Sequence, residues 1–293
     1  MKKYFIYAYL LIVAGCFTSC GNDEEVNVND SIFATGTTEK ETAFDQWLLE
    51  NYIYPYNVRV KYRMDDTETD VKYDLVPAEY NRSIALMKIV KHVWMEAYDE
   101  VWGIEQTQTY VPKLIQLIGN VAYTESGMIL GQAEGGLKVT LFRVNEIDVD
   151  NIDPITLNEF YFKTMHHEFT HILNQKKAYD PAFDRISESE YVGSSWYQID
   201  DEEALQKGCI SPYAMDRATE DFAEMVSIYV TNTAEDWEYW MRTAGNTGRP
   251  ILERKFEIVY NYMKDSWGID LNQLREIVQR RQNEISLLDL STL

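Results

Sequence analysis

The sequence predicts one α+β domain, mostly helical with a small sheet, and three observations predict it. Apolar residues recur at helical spacing over several long stretches. Two runs alternate instead with a period of two: Val58, Val60 and Tyr62 between Arg59, Lys61 and Arg63, and the segment Leu137 to Val144. After residue 39 no internal repeat, low-complexity segment or linker divides the chain, so a single core is the economical arrangement.

The elements follow in order. A first helix is expected from Glu39 through Phe44, Trp47, Leu48 and Tyr52, stopping before Pro55. The first alternating run follows as a strand. A second helix is expected within Pro77 to Trp102, where Ile84, Met87, Val90, Trp94 and Ala97 share helical spacing, and a third over Tyr110 to Val121. Gly127, Gly131, Gly135 and Gly136 mark a turn-rich stretch that leads into the second strand. Asp153-Pro154 is a capping residue with proline at the first helical position, so a helix should start there and run to about Gln175. Loops are expected from Lys176 to Tyr213 and mostly helix from there to Gln282. Tryptophans such as Trp237 and Trp240, with Tyr239 between, are expected in the core rather than as a sugar platform.

The N-terminus reads as a targeting segment. Lys2 and Lys3 precede an apolar run from Tyr4 to Ala14 that is too short for a bilayer core of about 30 Å. Small residues then lead into Cys16 and Cys20, which resembles a bacterial lipobox, where the cysteine becomes the lipidated first residue of the mature chain. Cys20 is the expected lipid site because Gly21 and the polar, acidic Asn22 to Glu25 follow at once; Val13-Ala14-Gly15-Cys16 is the competing box. The expected division is a signal peptide over 1–19, an acidic tether over 20–38 and one folded domain over 39–293. Cys209 is then the single thiol of the folded part, so no disulfide supports the core. With 48 acidic against 27 basic residues and a formal net charge of −21, the surface is not that of a nucleic-acid-binding protein, nor one drawn to an anionic membrane by charge.

Three of the four histidines, His166, His167 and His171, fall within six residues. In His167-Glu168-Phe169-Thr170-His171 the two outer imidazoles stand four residues apart on a helix, about 40° around the axis and about 6 Å along it, so both can reach one zinc ion at about 2.0–2.1 Å. Glu168, beside the first ligand, can take a proton from the activated water. His166 lies about 100° away from His167 and belongs to the structure around the site. A catalytic zinc takes a third protein ligand, and no histidine follows His171. Asn174 and Lys177 stand where a metzincin would carry Gly and His, which leaves a carboxylate or Cys209, itself expected in the core. In Glu220-Asp221-Phe222-Ala223-Glu224, Glu220 and Glu224 share a helix face; Glu220 as ligand and Glu224 as the acceptor that orients a ligand histidine is the coherent division, with Asp221 in reserve. One zinc per chain is expected.

This pattern resembles the gluzincin plan of the metallopeptidase domain of anthrax lethal factor, which has a His-Glu-Phe-x-His helix and a later Glu-Phe-Phe-Ala-Glu segment. With the lipobox, the chain is similar to the zinc-binding metallopeptidase lipoproteins associated with nutrient import systems of the starch-utilisation type. The resemblance implies a zincin-like domain with its small sheet beside the His-Glu-x-x-His helix. In Ser211-Pro212-Tyr213, the tyrosine stands seven residues before Glu220, where the resemblance implies a catalytic tyrosine that donates to the oxyanion. By the same analogy Leu137 to Val144 would be the edge strand along which an extended peptide pairs. The expected partners are a peptide or protein substrate, a membrane through the lipid, and a nutrient import complex, at the outer membrane and exposed on the cell surface or facing the periplasm. Two other readings stay open: a zinc hydrolase acting on a non-peptide amide, and a non-catalytic binding component of an import complex.

Overall fold

The computed structural model describes residues 41–64, 73–124, 127–129, 131–134 and 138–293. The expected signal peptide, tether, domain start at residue 39 and both candidate lipidation cysteines lie outside the described residues. From Ala43 to Leu293 the chain forms one unit, an α+β fold, mostly helical with a small sheet.

Helix α1 (Ala43–Leu48) continues through a π-turn (Leu49–Ile53) and a last turn (Tyr54–Tyr56). Pro55 does not stop it at once: the helix runs one residue further, through a π-turn into a last turn that contains Pro55. The helix ends instead at Asn57, whose left-handed φ of 53° suits asparagine. Strand β1 (Arg59–Lys61) follows with Val58, Val60 and Tyr62 turned into the core, as the alternation indicated. Helix α2 (Tyr80–Val90), a π-turn (Lys91–Met95) and α3 (Glu96–Trp102) make one long rod that Gly103 closes at φ 95°.

The third expected helix is corrected. Helix α4 (Ile104–Tyr110) ends where that helix was expected to begin, and Leu114–Leu117 is instead strand β2. Pro112 blocks continuation of the helix. The misreading has a physical cause: β2 is an inner strand of a parallel arrangement, with Ile115 and Leu117 buried on one side and Gln116 on the other. A strand covered on both faces reads as a continuous apolar run rather than an alternating one.

Strands β3 (Ala122–Thr124) and β4 (Gly127–Ile129) pair with each other, and β5 (Gly131–Glu134) and β6 (Lys138–Leu141) join the main sheet in the order β1-β2-β6-β5. β1, β2 and β6 are parallel, with Val60 opposite Ile115 and Ile115 opposite Val139, while β5 runs antiparallel to β6. β6 is therefore paired on both sides and is not the edge strand that the analogy implied. β5 holds that edge.

The second half supplies the helices of the site. Asp153 caps α5 (Pro154–Leu157), its carboxylate oxygens accepting from the Ile155 and Thr156 backbone N–H at 3.1 and 3.2 Å. A π-turn (Asn158–Phe162) leads into α6 (Lys163–Lys176), which carries His167 and His171 and lies beside β5. Short helices α7 (Ala182–Ile186) and α8 (Asp201–Gln206) precede α9 (Ala218–Thr231), α10 (Ala234–Thr243), α11 (Gly245–Asn261) and α12 (Leu271–Glu284). α9 is buried at every residue from Asp221 to Thr231 and packs against both α6 and α12. Phe169 of α6 packs edge-on against Trp94 and Tyr98, with ring centroids 5.6 and 4.9 Å away; truncating such a residue to alanine costs about 3–5 kcal/mol. Trp237 packs on Tyr229 and Phe256, in keeping with core packing, while Tyr239 is exposed.

Candidate metal centre

The face where α6 meets α9 brings His167, His171 and Glu220 together. The two Nε2 atoms lie 3.0 Å apart, and Oε2 of Glu220 lies 3.0 Å from His167 Nε2 and 3.1 Å from His171 Nε2. Adjacent ligands around a tetrahedral zinc at about 2.0–2.1 Å stand roughly 3.3 Å apart, so the triangle is close to that of three ligands of one ion. His167 is buried, and the other two side chains are half-buried.

The hydrogen bonding on the far side of His167 tests whether a cation fits. Its Nδ1 lies 3.0 Å from Oε1 of Glu224, and an ionised carboxylate can only accept, so in neutral His167 the proton sits on Nδ1. Nε2 then presents a lone pair toward a carboxylate oxygen and a second imidazole nitrogen. Three electron-rich atoms at this distance repel one another unless a proton or a metal ion lies among them. Burial alone would push the His167 pKa down, yet the Glu220 and Glu224 carboxylates outweigh it and raise it to about 9. Glu220 is held below the usual carboxylate range, its burial being outweighed by the two histidines. The donor set is thus one that draws positive charge, and two imidazoles with one carboxylate suit zinc.

Glu224 is almost fully buried. Burial would raise its pKa, but Lys163 and His167 outweigh this and hold it at about 2. Its second oxygen, Oε2, accepts from Ser211 Oγ at 2.6 Å and from Lys163 Nζ at 2.8 Å. Neither partner was among the expected site residues. Lys163 had a signal in the sequence, standing one turn before His167 on the same helix face, and Ser211 stood in the Ser-Pro-Tyr segment already singled out for Tyr213.

Glu168 is half-buried and lines a cleft of about 600 Å³ together with His171, Glu220, Asn174, Tyr179 and Asp184. Tyr213 opens a short 3-10 turn (Tyr213–Met215); its ring lies 5.7 Å from the His167 ring and 5.1 Å from that of Trp196. Burial, then the charges of Glu220, Glu168 and Glu224, push the phenol pKa well above its ordinary value, so the hydroxyl keeps its proton. The structure therefore brings His167, His171 and Glu220 to one point, with Glu224 behind His167, Tyr213 beside the His167 ring and Glu168 in the adjoining cleft. Cys20 lies outside the described residues.

The reserve candidates lie elsewhere. Asp221, fully buried, is 2.5 Å from Lys255 Nζ and accepts from the Tyr191 hydroxyl at 2.9 Å. Cys209 is buried 3.7 Å from the same Lys255, and burial with the nearby Asp221 charge raises its thiol pKa to about 12. Neither belongs to the His-His-Glu group. His166 is fully buried with Nδ1 3.0 Å from the Tyr98 hydroxyl, and burial pushes its pKa down to about 3.

Residues 37–272 match the model of a family described as "Putative zinc-binding metallo-peptidase". A solved structure from Bacteroides caccae ATCC 43185, titled as a crystal structure of a putative zinc-binding metallo-peptidase, is 45% identical, with a TM-score of 0.74 over 89% of this chain and 99% of that one. No curated protein matches. A family match over most of the length, together with a relative of this identity and coverage, places the chain in the family described as putative zinc-binding metallo-peptidases.

Proposed function

We propose that the protein is a zinc-dependent peptidase of gluzincin type, with one zinc held by His167, His171 and Glu220. The observation that carries this reading is the convergence of two Nε2 atoms and one carboxylate oxygen within about 3 Å at the wall of a cleft that also contains Glu168. Zinc bound there would supply Lewis acidity to a substrate carbonyl and lower the pKa of a water toward about 7. The chain's own residues do the rest. Glu168 accepts a proton from the attacking water and delivers it to the leaving amine. Tyr213, kept protonated, donates a hydrogen bond to the developing oxyanion. Glu224 holds His167 in the tautomer that leaves Nε2 free.

In this reading the substrate is a peptide or protein strand lying along β5, the edge strand beside α6. The mature chain is anchored by lipid on Cys20 at the outer membrane, on a surface-exposed lipoprotein that serves a nutrient import complex. The test is a diverse peptide library incubated with the zinc-loaded protein. Cleavage that a chelator abolishes and added zinc restores is the expected result; cleavage unaffected by chelation contradicts it.

A further inference from the structure

Ser211 makes two contacts that join parts of the site otherwise remote in sequence. Its hydroxyl donates to Oε2 of Glu224 at 2.6 Å and accepts the backbone N–H of Ala214 at 3.2 Å. The first contact leads through the Glu224 carboxylate to Nδ1 of His167, 3.0 Å from the other oxygen. The second closes the turn after Pro212 that holds Tyr213, where Met215 N also bonds the Pro212 carbonyl at 3.0 Å. A hydroxyl can donate one hydrogen bond and accept others, and the side chain of Ser211 uses both capacities.

We propose that Ser211 is a positioning residue that couples the orientation of His167 to the placement of Tyr213. Lys163 and Ser211 both occupy Oε2 of Glu224, which leaves Oε1 for the imidazole. The carboxylate cannot rotate without losing three contacts at once. Two of these donors lie on α6, His167 and Lys163, and the third comes from the loop, so Ser211 ties the Tyr213 turn to the carboxylate that also orients His167. Removing it leaves Oε2 to Lys163 alone and takes from the turn the side-chain bond to Ala214 N–H, so both ends loosen in the same step. A charge effect alone would not do this, because Ser211 is neutral.

The inference rests on His167, His171 and Glu220 being the zinc site, and its test reads binding rather than turnover. Zinc affinity is measured by competition with a chelator for the wild type, Ser211→Ala, Ser211→Thr and Tyr213→Phe. Ser211→Ala is expected to bind zinc about 10-fold more weakly, the lower end of what loss of an outer hydrogen-bond partner produces, and Ser211→Thr to recover most of the loss. Tyr213→Phe is expected to bind zinc like the wild type. The second arm uses acetohydroxamate, which engages a metal and offers an oxygen to a neighbouring donor. Ser211→Ala is expected to weaken its binding to the zinc-loaded protein several-fold in the presence of Tyr213, and much less in the Tyr213→Phe background. Wild-type zinc affinity in Ser211→Ala, failure of Ser211→Thr to restore it, or equal acetohydroxamate losses in both backgrounds would overturn the proposal. A wild type that binds no zinc would instead remove the metal site itself.

Discussion

Nδ1 of His167 lies 3.0 Å from Oε1 of Glu224, and this one contact decides which imidazole nitrogen faces Glu220 and His171. With the proton committed to the Glu224 side, Nε2 turns its lone pair toward Glu220 and His171. A helix turn of four residues brings the two imidazoles to one face, but the carboxylate from α9 gives the pair its polarity.

The metal assignment is tested by His171→Ala. Protein purified without added zinc should carry near one zinc per chain as wild type and far less as the variant, read by elemental analysis. Full retention would move the site elsewhere.

Glu220 and Glu224 differ in what they touch, and so in what their loss should do. Glu220→Ala removes the proposed ligand carboxylate and should abolish tight zinc binding. Glu224→Ala leaves the three ligand residues in place and should weaken binding by about 10–100-fold. A chelator competition series ranks them, and the reverse order would exchange their roles.

Asp221 neighbours Glu220 in sequence but is paired with Lys255 in the core, 2.5 Å away with both side chains fully buried. Asp221→Ala leaves the Lys255 ammonium buried without its partner, which costs about 3–5 kcal/mol. Denaturant unfolding should show that loss, while zinc bound per folded molecule stays at the wild-type level. A stable Asp221→Ala variant without zinc would reinstate Asp221 as a ligand.

Lipid anchoring is tested at the mature N-terminus. Mass spectrometry should find an acylated Cys20 as the first residue; acylated Cys16 or an unmodified N-terminus would contradict the assignment.

How much of this was legible in the sequence follows from the physics of each element. The helix of His167 and His171 was, because Asp153-Pro154 marks its start and the histidine spacing matches its turn. Glu220 and Glu224 were, because three and four residues share a helical face. β2 was not, because burial on both faces erases the alternation that identifies a strand. Nor was the edge position of β5, whose segment Gly131–Glu134 carries no period-two pattern and whose order in the sheet is set by its antiparallel pairing with β6. Lys163, one turn before His167, and Ser211, in the Ser-Pro-Tyr segment, stood at suggestive positions, but their shared contact with Glu224 exists only when α6, α9 and the loop are packed together.

The central claim is hydrolysis with Glu168 as the base, and the direct measurement compares Glu168→Gln with the wild type on one cleaved peptide. The substitution keeps the shape of the side chain and removes its capacity to accept a proton. The expected result is a fall in rate of about 10²–10⁴-fold with zinc content and melting temperature unchanged. A variant that hydrolyses as fast as the wild type would contradict the mechanism, and a wild type inert across a broad peptide and amide screen would leave a zinc-bearing binding protein in its place.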